Sequence, residues 1–304
     1  MCMVFLCSCE KKATEIRGFS MDAPYSVKAH DFNDKVKKEV EKVVSDCDFL
    51  FDAYDEGSVI SKLNNEKKLT GNKEVYTVIK KALKYCDESF DITLRSVSKL
   101  WDFNSDNPKP PSEEKIKEAL KSVNYENIVA DNGEITLSNN SEIELGAVVK
   151  GYCADKVFEI LKEKEAVIDI GGTVITSKKD GITAGVRAPF GDGLLCTFEL
   201  PYGYGVSTSG TYERSFTYDG EFYHHILNPK TGMSVKNNLV SVTVISKSAF
   251  ISDIFSTKYF VEGLDSDLRE DVAVIFVTKD KEIYTKGNVN LKEVNNNYKL
   301  VCAY

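Results

Sequence analysis

The chain has 304 residues, of which 42% are hydrophobic and 28% are charged, and its 39 basic and 47 acidic residues give a net charge of -8. This length and apolar content suffice for one large globular domain or two packed ones. The acidic balance, without a local basic patch, argues against a nucleic-acid partner, because like charges repel the phosphate backbone. The eight cysteines include no CxxC pair, which argues against a zinc or thioredoxin-type site.

The N-terminus, MCMVFLCSCEKK, is a short apolar run that ends in Leu6-Cys7-Ser8-Cys9 before charged residues. This pattern resembles the lipobox of bacterial lipoproteins and predicts a lipid on Cys9, with a signal and short linker over residues 1–19. Eight residues precede Cys9 and lack a basic region, so either the true start codon lies upstream or this is a chance apolar terminus. No other run approaches the roughly 18 apolar residues of a membrane span. We therefore expect a lipid-anchored protein at the extracytoplasmic face of the cell membrane.

Helical periodicity dominates the first half of the chain. From residue 33 onward, and again over 74–88, apolar residues recur at three- and four-residue spacing, which predicts two amphipathic helices. Ser112, followed by Glu113 and Glu114, marks a further helix start, because the hydroxyl can cap the helix and acids suit its first turn. We also expect strands over 26–29 and around Ile128, Ile135 and Ile143, and a helix over 151–164.

Runs of apolar and β-branched residues dominate the second half, and a nearly all-apolar helix over 248–262, closed by Gly263, interrupts them. Strands and helices mix without strict βαβ alternation. We therefore predict an α+β fold of mixed sheets with packed helices, in a single large domain over residues 20–304. The predicted strands cover 166–170, 181–187, 195–200, 205–208, 216–218, 240–246 and 272–278.

Asp253 lies in the apolar helix and is therefore predicted to be buried. A buried carboxylate is costly unless it is paired or binds a cation. Thr257 lies four residues later on the same helix face and adds a second oxygen. Oxygen ligands suit magnesium, which takes few protein groups and leaves other positions to phosphates and water. The alternative is an aspartate that the dipole of the first helical turn stabilises.

Two glycine-containing segments follow strand-like runs. In residues 142–152, a glycine turn leads into a helix start that carries Lys150, so backbone amides, a carbonyl and a cation lie near a helix N-terminus. Gly171 and Gly172 close another strand, where paired glycines allow a ligand to approach closely, although a plain turn explains them equally. Neither segment has a Walker or GxGxxG pattern, so neither defines a ligand alone.

Two of the three histidines, His224 and His225, are adjacent and precede a turn over 229–232. Strand alternation turns one of them inward and the other outward. A histidine near a strand end suits catalysis, and a structural histidine is the alternative. Nothing resembles a serine nucleophile elbow.

A series of short motifs spans residues 20–265 in a fixed order. They are Tyr25-Ser26-Val27; Phe51-Asp52-Ala53-Tyr54-Asp55 with Ser58 to Asn64; Phe90-Asp91-Ile92-Thr93 with Leu100-Trp101; Glu144 to Tyr152; Gly185-Val186-Arg187; Ser207 to Gly210 with Tyr212-Glu213-Arg214; His225 to Gly232; and Ser252-Asp253 with Ser256-Thr257. Together they resemble the ApbE family, the FAD:protein FMN transferases, and the ordered set is far more specific than any one motif.

The resemblance implies that FMN passes from FAD, as substrate, to a threonine or serine hydroxyl of another exported protein, with release of AMP. It implies a catalytic role for His225, and a magnesium ion bound by the Ala147 carbonyl, Asp253 and Thr257, with Ser256 nearby. The implied FAD contacts are Met21, Tyr54, Ser89, Phe90, Asp91, Glu144, Lys150 and the Leu227 backbone.

The chain departs from the family pattern at three places. Asp22 and Ala23 replace a glycine and a threonine, Arg95 and Ser96 replace a glycine and a proline, and Asn228 replaces an aspartate. Two rival functions stay open. One is a metal-dependent FAD pyrophosphatase, in which water replaces the hydroxyl and an aromatic residue at position 54 could slow the water attack. The other is a flavin-binding lipoprotein without turnover.

Overall fold

Helices occupy both halves of the chain in the computed structural model, which describes residues 13–30 and 32–303. The predicted lipidation site, Cys9, lies outside the described residues. Within the described ranges, no helix combines the length and the apolar character needed to cross a bilayer. The helices are α1 (Asp34–Phe51), α2 (Val59–Glu66), α3 (Lys73–Ala82), α4 (Arg95–Trp101), α5 (Glu113–Leu120), α6 (Val149–Leu161) and α7 (Ala249–Glu262).

The strands form one large sheet and three small ones. Their bounds are β1 (Thr14–Ser20), β2 (Ala23–Ala29), β3 (Lys68–Thr70), β4 (Ile128–Asp131), β5 (Glu134–Leu137), β6 (Val167–Ile170), β7 (Thr173–Thr176), β8 (Ile182–Arg187), β9 (Leu194–Leu200), β10 (Gly205–Gly210), β11 (Ser215–Tyr218), β12 (Glu221–His224), β13 (Leu239–Ser246), β14 (Val272–Thr278), β15 (Glu282–Lys286), β16 (Leu291–Lys292) and β17 (Lys299–Ala303). The large sheet has the order β1-β2-β6-β7-β10-β13-β14-β15-β17, and the small sheets are β16-β9-β8, β3-β5-β4 and β11-β12. This mixture of mainly antiparallel sheets with packed helices confirms the α+β prediction.

The described chain forms two compact units. The first unit comprises the residues up to Asp48, Ala147–Ser209 and the residues from Asn238 onward, and the second comprises Phe49–Gly146 and Gly210–Asn237.

The first unit is built on the large sheet. Strands β13 and β14 are buried at every position, and β14 is apolar up to its final threonine. Helices α6 and α7 pack against each other and against β6, β7 and β13. Alternate residues of β14, among them Ile275 and Val277, join Leu195 and Phe198 of the β16-β9-β8 sheet in a separate apolar core. The sheet is therefore covered by helices and by a second sheet.

The second unit has its own smaller core around Trp101 of α4. The Trp101 indole N–H donates to the Gly232 carbonyl at 2.8 Å, and the ring packs with Val97, Ile116 and Leu227. This contact anchors the turn that follows the two adjacent histidines. Gly232 is required there, because it has a positive φ of 66° and an added Cβ would lie 2.6 Å from Ile116 Cγ2.

Three sequence-based boundaries need correction. The predicted helix over 74–88 ends at Ala82 and continues as a 3-10 turn over Leu83–Tyr85. Ile143 is in no strand, because the side-chain amide of Asn64 takes the place of a strand partner: it accepts from the Ile143 N–H at 2.6 Å and donates to the Ile143 carbonyl at 2.9 Å. Residues assigned to a linker before position 20 form β1, which pairs with β2.

Candidate functional site

Asp253 lies on α7 of the first unit and is only 4% exposed. Its Oδ2 accepts a hydrogen bond from the Gly151 N–H at 2.9 Å, and its Oδ1 accepts one from the Ser207 hydroxyl at 3.0 Å. Both donors are neutral, so this buried negative charge is hydrogen-bonded but not neutralised by them. Asp253 lies beyond the first turn of α7, so the dipole of its own helix does not stabilise it in the way the alternative required. Its carboxylate instead accepts from the first turn of α6, where the dipole of that helix favours a negative charge.

The two helices are linked by reciprocal capping. Asp155 of α6 accepts from the Ala249 N–H at 2.7 Å and from the Ser248 hydroxyl at 2.6 Å, at the start of α7. Asp253 of α7 in turn accepts from the start of α6. The helices approach so closely that a Cβ on Gly151 would lie 2.3 Å from the Ala249 carbonyl oxygen. The position of the Asp253 carboxylate is therefore fixed by the packing of both helices.

A chain of hydroxyls continues from Asp253 along α7. The Ser256 hydroxyl donates to the Asp253 carbonyl at 2.9 Å, and the Ser209 oxygen lies 2.8 Å from Ser256 Oγ and 3.0 Å from Thr257 Oγ1. Each hydroxyl carries one proton, so Ser209 donates to Ser256 and Thr257 donates to Ser209. The lone pairs of Thr257 remain as acceptors.

These residues fit a hard cation. The donor set consists only of oxygens, from one carboxylate and a hydroxyl whose proton points elsewhere, as magnesium prefers. The described residues hold no cluster of three or more His, Cys, Asp or Glu side chains suited to a metal. A single carboxylate matches an ion that takes most of its ligands from phosphates and water.

Three of the segments identified in the sequence meet elsewhere in the first unit. The Gly171 N–H donates to the Pro24 carbonyl at 3.0 Å, beside the turn at Met21, which has a positive φ of 52°. A Cβ on Gly171 would lie 2.7 Å from the Ala23 Cβ and 2.9 Å from the Lys150 Cδ. Gly171 thus lets the Lys150 side chain and the start of β2 approach its backbone, whereas a Cβ on Gly172 would meet nothing within 4 Å.

Asp169 sits beside the paired glycines and was not singled out from the sequence. Its Oδ1 accepts from the Gly172 N–H at 2.8 Å, and burial raises the pKa of its carboxyl. Ala147 precedes α6 and is half-buried.

The two adjacent histidines in the second unit have different surroundings. His224, the last residue of β12, is 4% exposed, and its Nε2 lies 3.0 Å from the Val235 carbonyl. His225 is only half-buried, and its Nδ1 lies 3.3 Å from the Arg214 carbonyl. A carbonyl can only accept, so the ring nitrogen that faces it carries a proton, Nε2 in His224 and Nδ1 in His225. The inward histidine of the alternation is therefore His224, and His225 is the one suited to accept a proton.

Tyr54 is the centre of a polar cluster in the second unit. Its hydroxyl lies 3.5 Å from Glu144 Oε1, and the Ser98 hydroxyl donates to the other Glu144 oxygen. The Arg95 guanidinium carbon lies 3.9 Å from the centroid of the Tyr54 ring. Burial of the hydroxyl and the charge of Glu144 raise the pKa of Tyr54, whereas the charges of Arg95 and Arg214 act to lower it. The backbone carbonyl of Arg214 accepts from the His225 N–H at 3.0 Å, so Arg214 links Tyr54 and His225.

Three other predicted residues form a turn in the second unit. The backbone N–H groups of Ser89 and Phe90 donate to Asp87 Oδ1 at 2.9 and 3.2 Å. Asp91 accepts from the Thr93 hydroxyl and N–H through Oδ1 and from the Tyr125 N–H through Oδ2. Both carboxylate oxygens of Asp91 therefore already hold the local backbone.

Leu227, whose backbone was expected to contact FAD, has a buried side chain and forms an isolated bridge with Ser234. The neighbouring Asn228, at a position where the family pattern has aspartate, accepts from the Lys230 and Thr231 N–H groups at 2.9 and 3.2 Å. An amide oxygen performs this turn-forming task as well as a carboxylate.

The architecture is that of solved ApbE proteins. A crystal structure of an ApbE protein from Thermotoga maritima superposes with a TM-score of 0.81 at 29% identity, over 93% of this chain and 97% of that one. Among curated proteins, the FAD:protein FMN transferase of Klebsiella pneumoniae is 30% identical over 90% of this chain and 91% of its own length. The protein of that name from Buchnera aphidicola (Schizaphis graminum) is 28% identical over 91% and 89%.

The chain belongs to the ApbE family, whose model matches residues 21–274.

Sequence reasoning did not find the partners of the predicted residues. Ser207 and Ser209 belong to one of the family motifs, but the sequence did not predict that they contact Asp253 and Ser256 of α7, which lie 46 and 47 residues later. Asp155 was not singled out from the sequence. Arg95 was recognised only as a departure from the family pattern, and its stacking on Tyr54 follows from the fold.

Proposed function

We propose that this chain transfers FMN from FAD to a hydroxyl of an acceptor protein and releases AMP. The observation that carries the proposal is the buried Asp253 carboxylate with its neutral donors, in a chain whose relatives bear the name FAD:protein FMN transferase. Such a carboxylate suits a cation that in turn binds a pyrophosphate.

The transfer breaks a phosphoanhydride bond of FAD and forms a phosphoester bond to the acceptor. The acceptor oxygen attacks the phosphorus on the FMN side of the pyrophosphate, and the bond from that phosphorus to the bridging oxygen breaks. AMP leaves with the bridging oxygen, and the acceptor hydroxyl loses its proton to a base. The products are a phosphoester-linked FMN on the protein and free AMP.

Asp253 and Thr257 would hold magnesium, with the Ala147 carbonyl and Ser256 as the further groups implied by the family resemblance. When bound, the ion would supply positive charge to the pyrophosphate oxygens. The protein holds these oxygens in place, because reciprocal capping fixes Asp253 and the Thr257 hydroxyl donates a hydrogen bond to Ser209. The half-buried Lys150 side chain supplies further positive charge for phosphate oxygens.

His225 is the base in this proposal. Its Nδ1 donates to the Arg214 carbonyl, which orients the ring, and its Nε2 would take the acceptor proton. The remaining family-implied residues (Met21, Tyr54, Ser89, Phe90, Asp91, Glu144 and Leu227) are proposed FAD contacts. Among them, Tyr54 offers a half-exposed ring on which a flat flavin can stack.

We also propose that the protein is lipid-anchored through Cys9 at the extracytoplasmic face and that its acceptors are exported proteins. The Leu6-Cys7-Ser8-Cys9 sequence supports this location. Cys9→Ser should move the protein from the membrane fraction to the soluble fraction of native cells. A parent protein found wholly in the cytosolic fraction would contradict the proposal.

The transfer itself is tested with a carrier, a small folded protein with a tail that holds one threonine beside a glycine. The purified protein is mixed with FAD, magnesium and the carrier, and flavin on the denatured carrier and AMP are measured. The proposal predicts equal amounts of carrier-bound flavin and AMP, and no bound flavin when valine replaces the threonine. Release of AMP and free FMN without any labelled carrier would instead establish an FAD pyrophosphatase, and flavin binding without AMP would establish a binding protein.

A further inference from the structure

Arg95, at the first position of α4, is an unusually placed cation in the second unit. Its guanidinium stacks on the Tyr54 ring, with 3.9 Å from the guanidinium carbon to the ring centroid. Its Nη1 is buried and has no hydrogen-bond partner among the described residues. A buried guanidinium nitrogen without an acceptor is costly, so the stacking on Tyr54 is the principal contact that holds this charge.

Arg95 and Ser98 lie three residues apart, on one face of α4, and together they frame Tyr54 and Glu144. The Ser98 hydroxyl binds one Glu144 oxygen, and the Tyr54 hydroxyl lies 3.5 Å from the other. That last contact is long for a hydrogen bond, so it orients the phenol weakly. The stacked guanidinium is therefore the stronger restraint on the ring.

The guanidinium covers one face of the Tyr54 ring, while 52% of the side chain stays exposed. A flat, electron-poor ring system such as isoalloxazine can stack on the exposed part. A ring held in one orientation holds such a ligand in one orientation, and a misplaced reacting group lets water compete with the intended nucleophile.

We propose that Arg95 is a positioning residue that fixes the Tyr54 ring and thereby sets how FMN is divided between a protein hydroxyl and water. The inference rests on the proposed transfer and extends it to a position where the family pattern has a glycine. Transfer to the hydroxyl gives carrier-bound flavin and AMP, whereas attack by water on the same phosphorus gives free FMN and AMP.

The test measures the ratio of free FMN to carrier-bound flavin in the carrier reaction. Arg95→Ala should raise this ratio about three- to tenfold, the range that loss of a cation–π contact supports. Arg95→Lys keeps a cation without the flat guanidinium and should raise the ratio by less. Arg95→Gln keeps a planar polar group without charge, and it replaces the alanine variant in this measurement if that variant does not fold. Lys99→Ala is the matched control, because it removes an exposed cation of the same helix that pairs with Glu142.

A second readout is the quenching of flavin fluorescence when FAD binds, which should weaken in Arg95→Ala and stay unchanged in Lys99→Ala. If Arg95 were only structural, its replacement would lower the melting temperature and the total turnover together and leave the ratio at the parent value. That result would overturn the inference alone. A parent protein that releases no AMP would overturn the proposed transfer, and this inference with it.

Discussion

The cluster around Asp253 and the cluster around Tyr54 and His225 differ in how firmly their polar groups are held. In the first, Asp253, Ser207 and Ser256 are buried and Ser209 and Thr257 are half-buried, and hydrogen bonds of 2.8–3.0 Å join them. In the second, the side chains are partly exposed, and the key contacts are 3.3 Å for His225 and 3.5 Å for Tyr54.

This difference indicates two kinds of task. The proposed magnesium ion would need oxygens that do not move, and the packing of α6 against α7 holds the Asp253 carboxylate in place. Groups that act on a bound ligand commonly have long or poorly aligned hydrogen bonds until the ligand completes them. The firm cluster should therefore respond to mutation in both stability and turnover, and the looser one in turnover alone.

The largest effect is expected at Asp253. Asp253→Asn keeps the shape of the side chain but removes the charge, so magnesium-dependent turnover should fall by roughly three orders of magnitude, the worth of several kcal/mol of metal-based stabilisation. Asp155→Asn is the matched control, because it weakens the reciprocal cap without touching the proposed metal site. It should lower stability by about 1 kcal/mol and reduce magnesium-dependent turnover far less than Asp253→Asn does. Equal turnover in the parent and in Asp253→Asn would show that the Asp253 charge takes no part in the reaction.

The two histidines should separate turnover from stability. His225→Ala should lower turnover by about two to four orders of magnitude, the usual worth of a positioned base, with FAD affinity unchanged. His224→Ala should instead lower the free energy of unfolding by about 1–3 kcal/mol, because it removes a buried, hydrogen-bonded side chain. Single-turnover rates and urea unfolding measure both quantities. If only the His224 variant lost turnover, His224 rather than His225 would be the base.

The close approach of α6 and α7 can be tested at Gly151. A Cβ there would overlap the α7 backbone at 2.3 Å, so Gly151→Ala should lower the free energy of unfolding by at least about 2 kcal/mol. Gly146→Ala is the control, because its Cβ would meet only Glu144 Oε1 at 3.9 Å, and its effect should stay within about 0.5 kcal/mol. Similar stabilities of the two variants, from urea unfolding, would contradict the described helix contact.

The smallest effect concerns Asp91 and depends on pH. Burial raises the pKa of the Asp91 carboxyl above its ordinary value, despite three hydrogen bonds that favour the charged form. The folded state therefore binds this proton more tightly than the unfolded state. The resulting stability is fully present below the ordinary carboxyl pKa and is lost as pH rises through the raised one. Relative to Asp91→Asn, the parent should gain stability between pH 7 and pH 4, and the opposite trend in urea unfolding would contradict the burial of this group.

The sequence predicted best where local patterns decide the structure. The apolar runs of β13, β14 and α7 are buried nearly all round, so periodicity and length identified them. Ser112 caps α5 as predicted, and Ser248 caps α7 at the predicted start of that helix. The lack of a strand at Ile143 could not be predicted, because its backbone pairs with the side-chain amide of Asn64, 79 residues away, rather than with a strand.

In the candidate site, too, local sequence patterns predicted some features and only the fold showed the others. Asp253 stood out because a carboxylate in an apolar helix is rare. The tautomers of His224 and His225 depend on carbonyls 11 residues away, which no spacing rule predicts. The stacking of Arg95 on Tyr54 joins residues of different loops and helices, so it required the fold.

The central claim, that a protein hydroxyl and not water receives FMN, is tested most directly by running the carrier reaction in water enriched in oxygen-18. Transfer to the threonine predicts carrier-bound FMN and AMP that both lack the heavy oxygen, because the threonine oxygen enters one product and the bridging oxygen stays with the other. Free FMN that carries the heavy oxygen as the main flavin product would contradict the account.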